Sequence, residues 1–161
     1  MQVAILGATS QISKGLIKLF AKNNDNHLFL FVRDKKIFKQ WIASQGGNNK
    51  NLEIHEFKDF DLNFDLDLII KCVGVGDPNK VMQIGSTILD ITKTYDDIVL
   101  DYLHNNPRAK YIFLSSGAVY GDIFSVPADE DSKSLINLNF DTPANFYSLA
   151  KLYAEARHRA L

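Results

Sequence analysis

Apolar and polar residues fall in blocks along the chain, and the blocks change period. Val3, Ile5 and Leu6 lie in a short apolar run that stops at Gly7, the pattern of a buried strand followed by a turn. Ile12, Leu16, Leu19 and Phe20 then recur at helical spacing. A second apolar run, Leu28 to Val32, ends at Arg33-Asp34-Lys35-Lys36, and a short helix bearing Ile37, Phe38, Trp41 and Ile42 is predicted after it. Ser44 to Asn51 has loop composition. Strands are predicted at Leu52–Phe57 and Leu66–Val73, and a long helix over Thr87–Asn105 carries Ile88, Ile91, Tyr95, Ile98, Leu100 and Leu103. A further strand, Tyr111–Leu114, stops at Ser115-Ser116-Gly117. An irregular stretch from Gly121 to Asp141 leads to a last helix, which Thr142 can cap and Pro143 can start.

Strand and helix alternating at this spacing predict an α/β fold, a doubly wound parallel sheet with helices on both faces. Ligands of such sheets sit at the carboxyl ends of the strands, near the point where strand order reverses. No repeat or linker interrupts the pattern, so residues 1–161 are read as one domain.

Composition narrows the function classes. With 18 Lys+Arg against 19 Asp+Glu the formal charge is −1, which excludes a basic nucleic-acid-binding composition. No apolar run approaches the roughly 20 residues of a membrane span, and MQVAILGATS lacks the basic flank of a signal peptide, so no membrane partner is expected. The lone Cys72 has no intramolecular disulfide partner; it is expected to pack as a small hydrophobe in a protein of the reducing cytoplasm. His27, His55, His104 and His158 show no metal-ligand spacing; they are expected at the surface or strand edges, and no metal site is predicted.

Chemistry-bearing residues gather at the predicted strand ends. Gly7-Ala8-Thr9-Ser10-Gln11-Ile12-Ser13 follows a strand and opens a helix, the setting of a phosphate-cradling loop. Gly7 permits the tight turn, and the helix N-terminus offers unpaired N–H groups and a positive dipole end. Ser10 and Ser13 stand where glycines would allow closer approach, and their hydroxyls are small groups able to hydrogen-bond phosphate. Arg33 ends the second strand, where an arginine accommodates a 2′-phosphate and a carboxylate would accept from a free 2′-hydroxyl. That position favours NADP over NAD, although the adjacent Asp34 leaves the NAD alternative open by a shift of one residue.

Tyr147 and Lys151 are four residues apart on the last helix, so their side chains leave the same face. A phenol titrating near pH 10 is a poor acid or base at neutral pH, and a neighbouring ammonium makes proton exchange with a substrate oxygen feasible. Such a pair also arises by chance or as packing with a snorkelling lysine; Ser116, just past a strand end, gives it weight.

Taken together, GATSQIS, DLDLIIKCVG (Asp65 to Gly74), FLSSGAVYG (Phe113 to Gly121) and YSLAK (Tyr147 to Lys151) occur in an order and spacing that resembles the extended short-chain dehydrogenase/reductases, the NAD(P)-dependent epimerase/dehydratase family. The resemblance spans essentially the whole chain and implies a Rossmann-like sheet and activity on a nucleotide sugar or related carbonyl or alcohol. It implies Tyr147 as acid/base, Lys151 as the cation beside it and on the nicotinamide ribose, and Ser116 on the reacting substrate oxygen. It places Gly7, Ser10, Gln11 and Ile12 along a pyrophosphate, Asp59 at the adenine with Phe60 beside it, and Val73 and Gly74 at the adenosine ribose and phosphates. Ser10 and Ser13 depart from the family's glycines, and Lys71 stands where the family usually has His. A serine followed by Gly117-Ala118 makes dehydration less favoured than reduction or epimerisation. A homodimer through the helices Thr87–Asn105 and Ala144–Ala160 is one arrangement the resemblance implies; those faces equally well cover their own sheet. The alternative reading is a non-catalytic NAD(P)-binding module, regulatory or redox-sensing. The chain stops on the helix carrying Tyr147 and Lys151. It is therefore expected to be part of a longer enzyme without its carboxyl-terminal substrate-binding region, holding a cofactor better than it turns over substrate; the alternative is that it borrows the missing wall from a partner.

Overall fold

The apolar runs at residues 3–6, 28–32 and 68–70 become central strands, buried or nearly so on both faces, while Leu52–Glu56 and Lys110–Phe113 form strands that stay partly exposed. The computed structural model describes residues 1–46, 50–121, 126–139 and 141–161. Parts of the expected loop Ser44–Asn51 and of the irregular stretch Gly121–Asp141 lie outside them. The described chain divides into two units, residues 1–73 with 101–114, and residues 74–100 with 115–161.

The first unit holds the whole sheet: β1 (Gln2–Leu6), β2 (His27–Val32), β3 (Leu52–Glu56), β4 (Leu68–Lys71) and β5 (Lys110–Phe113). All neighbours run parallel, in the order β3-β2-β1-β4-β5. Strand order thus reverses between β1 and β4. Val3, Ile5, Leu28, Leu30, Val32, Leu68 and Ile70 point to one face, where Ile17 of α1 (Gln11–Phe20) and Phe38 and Ile42 of α2 (Lys35–Ser44) cover them. Phe31 lies on the opposite face with Phe60, Phe64 and His55, rings 5.0 to 5.5 Å apart. There Tyr102, buried, accepts from the Leu66 N–H at 3.0 Å and donates to the Phe64 carbonyl at 2.8 Å. This bond pair holds the segment that feeds β4.

The second unit contains α3 (Pro78–Ile84), most of α4 (Thr87–Asn105) and α5 (Pro143–Arg159). Helix α3 lies outside the elements expected from periodicity, because seven residues show too little of it. Its local signature was present, however: Asp77 caps it, accepting from the Asn79 N–H at 2.9 Å, and Pro78 opens it. Val81, Ile88 and Ala150 form a small apolar core among α3, α4 and α5, with Phe146 and Tyr147 packed against it. Two acid–base pairs join α4 to α5. Asp97 meets Arg157 at 2.6 Å, and the fully buried Asp96 lies 3.4 Å from His158. His158 is therefore an interhelical group and not the surface residue expected from its spacing. Among the described residues no helix is long and apolar enough to cross a membrane.

Candidate functional site

In the first unit, the point where strand order reverses is also where the backbone is tightest. Gly7 leaves β1 at φ +82°, and a Cβ there would lie 2.9 Å from the Cys72 carbonyl carbon and the Val73 nitrogen just beyond β4. Only glycine combines that left-handed conformation with so close a backbone crossing. Gly7 and Ala8 donate to the Phe31 carbonyl of β2, at 3.0 and 3.1 Å, so the turn is fixed to the sheet before α1 begins.

Ser10 is the N-cap of α1. Its hydroxyl accepts from the Ser13 N–H at 3.0 Å and lies 2.8 Å from the Ser13 hydroxyl. Ser13, fully buried, donates in turn to the Gly7 carbonyl at 2.8 Å, which also accepts from the Ser10 N–H at 3.1 Å. The two serines that replace glycines thus bind the loop to itself. Gln11 and Ile12 occupy the first two helical positions, whose N–H groups have no intrahelical acceptor. With the dipole end beside them they form a cradle suited to a pyrophosphate.

The ends of β2 and β3 carry Arg33, Asp34 and Asp59, candidate residues for the adenosine end of a dinucleotide. Asp34 caps α2, its carboxylate accepting from the Ile37 N–H at 3.1 Å. Arg33 is exposed, and among the described residues its guanidinium has no ion-pair partner. The carboxylate is thus engaged by its own helix and the cation is not. Asp59 accepts from Lys35 at 2.8 Å and from the Glu56 N–H at 2.9 Å, and these bonds hold its carboxyl below the usual carboxylate range. Lys35 was not anticipated, because nothing local in sequence pairs residues on α2 and after β3. Phe60 is buried, its ring edge-on to Phe31 and Tyr102 at 5.0 and 5.5 Å. Its side chain therefore belongs to the aromatic layer. Lys71, at the end of β4, is 1% exposed with its ammonium 5.2 Å above the Phe113 ring, and Cys72 packs partly buried against the sheet core.

In the second unit, Ser116 caps the 3-10 turn Gly117–Tyr120, accepting from the Ala118 N–H at 3.3 Å, and that turn packs against α5. Helix α5 starts as its sequence signals: Thr142 accepts from the Asn145 N–H at 3.2 Å and Pro143 follows. Ala150 and Ala154 face inward, which places Tyr147 and Lys151 half-buried beside them. The Lys151 ammonium lies 5.9 Å from the Tyr147 ring centroid and 3.6 Å from where a Cβ on Gly74 would be. Ser116, Tyr147, Lys151 and Gly74 therefore belong to one unit, although Ser116 is far from α5 in sequence. The arrangement offers a hydroxyl, a phenol and an ammonium, the parts of a proton-transfer group acting on an alcohol or carbonyl.

Comparison with solved structures identifies the fold. The UDP-Glc/GlcNAc 4-epimerase of Campylobacter jejuni matches with a TM-score of 0.77 at 18% identity, over 99% of this chain and 48% of its own. The UDP-glucuronic acid 4-epimerase of Bacillus cereus, solved with NAD, matches at 0.75 and 19% identity, over 99% and 52%. Yeast methylglyoxal/isovaleraldehyde reductase Gre2, solved with NADPH, matches at 0.72 and 18%, over 99% and 52%. The chain spans about half the length of these structures, and at such identities the likeness is one of fold. Sequence comparison with curated proteins finds no match. A family model matches residues 3–161, nearly the entire chain with both units, and the protein belongs to the NAD dependent epimerase/dehydratase family.

Proposed function

We propose that residues 1–161 form the NADP-preferring dinucleotide-binding part of an enzyme that acts on an alcohol or carbonyl carbon through Ser116, Tyr147 and Lys151. The observation that carries this reading is the second unit's convergence of phenol and ammonium on one face of α5, with Ser116 capping the turn packed against that helix. A bound nicotinamide would supply the hydride donor or acceptor. Tyr147 exchanges a proton with the substrate oxygen, and the Lys151 ammonium stands beside it, 5.9 Å from the ring centroid. Ser116 holds the same oxygen through its hydroxyl. Gly7, Ser10, Gln11 and Ile12 line the pyrophosphate, while Asp59, Phe60 and Val73 of the same unit border the adenosine half.

The preference for NADP rests on the division of labour at the end of β2, where Asp34 is spent on capping and Arg33 is left for a 2′-phosphate. The substrate class, a nucleotide sugar or a related small carbonyl, is proposed by analogy with the activities of the structural relatives.

Fluorescence titration with NADPH and NADH tests the cofactor. Saturable binding, tighter for NADPH, is expected, and no binding of either would overturn the proposal. For the chemistry, NADPH oxidation is followed with the carbonyl methylglyoxal as probe, and NADP+ reduction with the alcohol UDP-glucose. Tyr147→Phe is expected to lower any rate by about 10²- to 10⁴-fold, the usual contribution of a general acid or base, with NADPH affinity unchanged. Undiminished turnover in that variant would remove Tyr147 from the mechanism.

A further inference from the structure

The hydroxyls of Ser10 and Ser13 form a chain whose proton direction can be assigned. A serine hydroxyl carries one proton, and a carbonyl oxygen carries none to give. Ser13 Oγ is 2.8 Å from the Gly7 carbonyl, so the Ser13 proton is in that bond. The 2.8 Å contact between the two hydroxyls must then take its proton from Ser10. Ser10 Oγ also accepts from the Ser13 N–H at 3.0 Å. Its one proton is therefore committed inward, and what remains to it outward is a lone pair. An ionised phosphate oxygen only accepts, so it meets at Ser10 an oxygen with nothing to donate.

We infer that Ser13 is a positioning residue that sets cofactor affinity by claiming the Ser10 proton. The inference rests on the dinucleotide reading above and deepens it. The relay from Ser10 through Ser13 to the Gly7 carbonyl holds the loop in the shape that two further glycines would otherwise allow. In exchange it leaves the pyrophosphate to the backbone N–H groups of Gln11 and Ile12. Removing the Ser13 hydroxyl releases the Ser10 proton for a charge-assisted bond to phosphate, while the Gly7 carbonyl keeps the Ser10 N–H as a donor. Deleting a buried hydrogen-bonding group should thus tighten ligand binding, the opposite of what a purely structural serine would do.

The test is NADPH titration by fluorescence on the 161-residue chain, with thermal unfolding of each variant followed by circular dichroism. Ser13→Ala is expected to bind NADPH about tenfold more tightly than the wild type. Ser13→Gly, a second variant without the hydroxyl, should shift in the same direction. Ser13→Thr keeps the hydroxyl and should retain the wild-type Kd, and the gain should vanish in S10A/S13A, which has no proton to redirect. If the wild type binds NADPH and both hydroxyl-free variants bind it equally or less tightly, the inference is overturned and the cofactor reading stands. If neither the wild type nor any variant binds, both fall together.

Discussion

Replacing Gly7 by alanine probes the point on which the first unit's site depends. Two costs add. A residue with a Cβ at φ +82° occupies the left-handed region, at about 1–2 kcal/mol. The new methyl would also lie 2.9 Å from the Cys72 carbonyl carbon and Val73 nitrogen and 3.1 Å from the Cys72 oxygen. Those are backbone atoms following a fully buried strand, so they cannot rotate aside, and β1 and β4 must part locally. Overpacking of this kind costs roughly 1–3 kcal/mol. The sum is about 2–5 kcal/mol, or a fall in unfolding midpoint of roughly 4–20 °C for a chain of this length. Gly15, in the interior of α1, supplies the control, since nothing lies within 4 Å of its Cβ position. Gly15→Ala should raise the midpoint by roughly 1–4 °C through helix propensity alone. Far-UV circular dichroism melts of the two variants beside the wild type measure both effects. A Gly7→Ala midpoint within about 2 °C of wild type, well below the range just worked out, would refute the crossing argument. An equal fall in both variants would show that the loss is generic to alanine.

Three other outcomes are expected. Tyr102→Phe leaves the Leu66 N–H and Phe64 carbonyl without their partner and should cost roughly 1–3 kcal/mol, read from the urea midpoint, with little change in NADPH binding. Arg33→Ala should weaken NADPH binding about tenfold or more while leaving NADH nearly unchanged, and an unaltered ratio would count against the 2′-phosphate role. Asp97 is held below the usual carboxylate range first by its bond to Lys93 and then by Arg157. Its contribution is therefore full above about pH 4 and is lost as pH falls through the lowered folded-state value. Asp97→Asn should be less stable than wild type at pH 7, with the gap narrowing as pH is lowered below about 4, read from urea midpoints at a series of pH values.

What was legible in the sequence was whatever adjacent residues decide. Thr142-Pro143 marks the start of α5, and the spacing of Ile88, Ile91 and Tyr95 marks α4, because caps and periodicity act within a turn or two. Asp77-Pro78 carried the same information for α3, whose length hid its period. The phosphate loop and the Ser116, Tyr147 and Lys151 positions were legible as residue types at strand and helix ends. Their assignment to roles remains the proposal advanced above.

The sequence by itself determined the strand–helix alternation, and with it a parallel sheet, since local periodicity and right-handed crossovers leave few alternatives. Tertiary structure alone decided what those residues do to one another. The β1–β4 crossing makes Gly7 irreplaceable. Lys35 reaches Asp59 across 24 residues, and the 3-10 turn that Ser116 caps packs on the helix of Tyr147 and Lys151. Ser10 and Ser13, met in the sequence as defects in a glycine pattern, are in the fold two members of one hydrogen-bond chain. A hydroxyl has a single proton, and which acceptor takes it is settled by the groups around it in space, of which linear spacing carries no record.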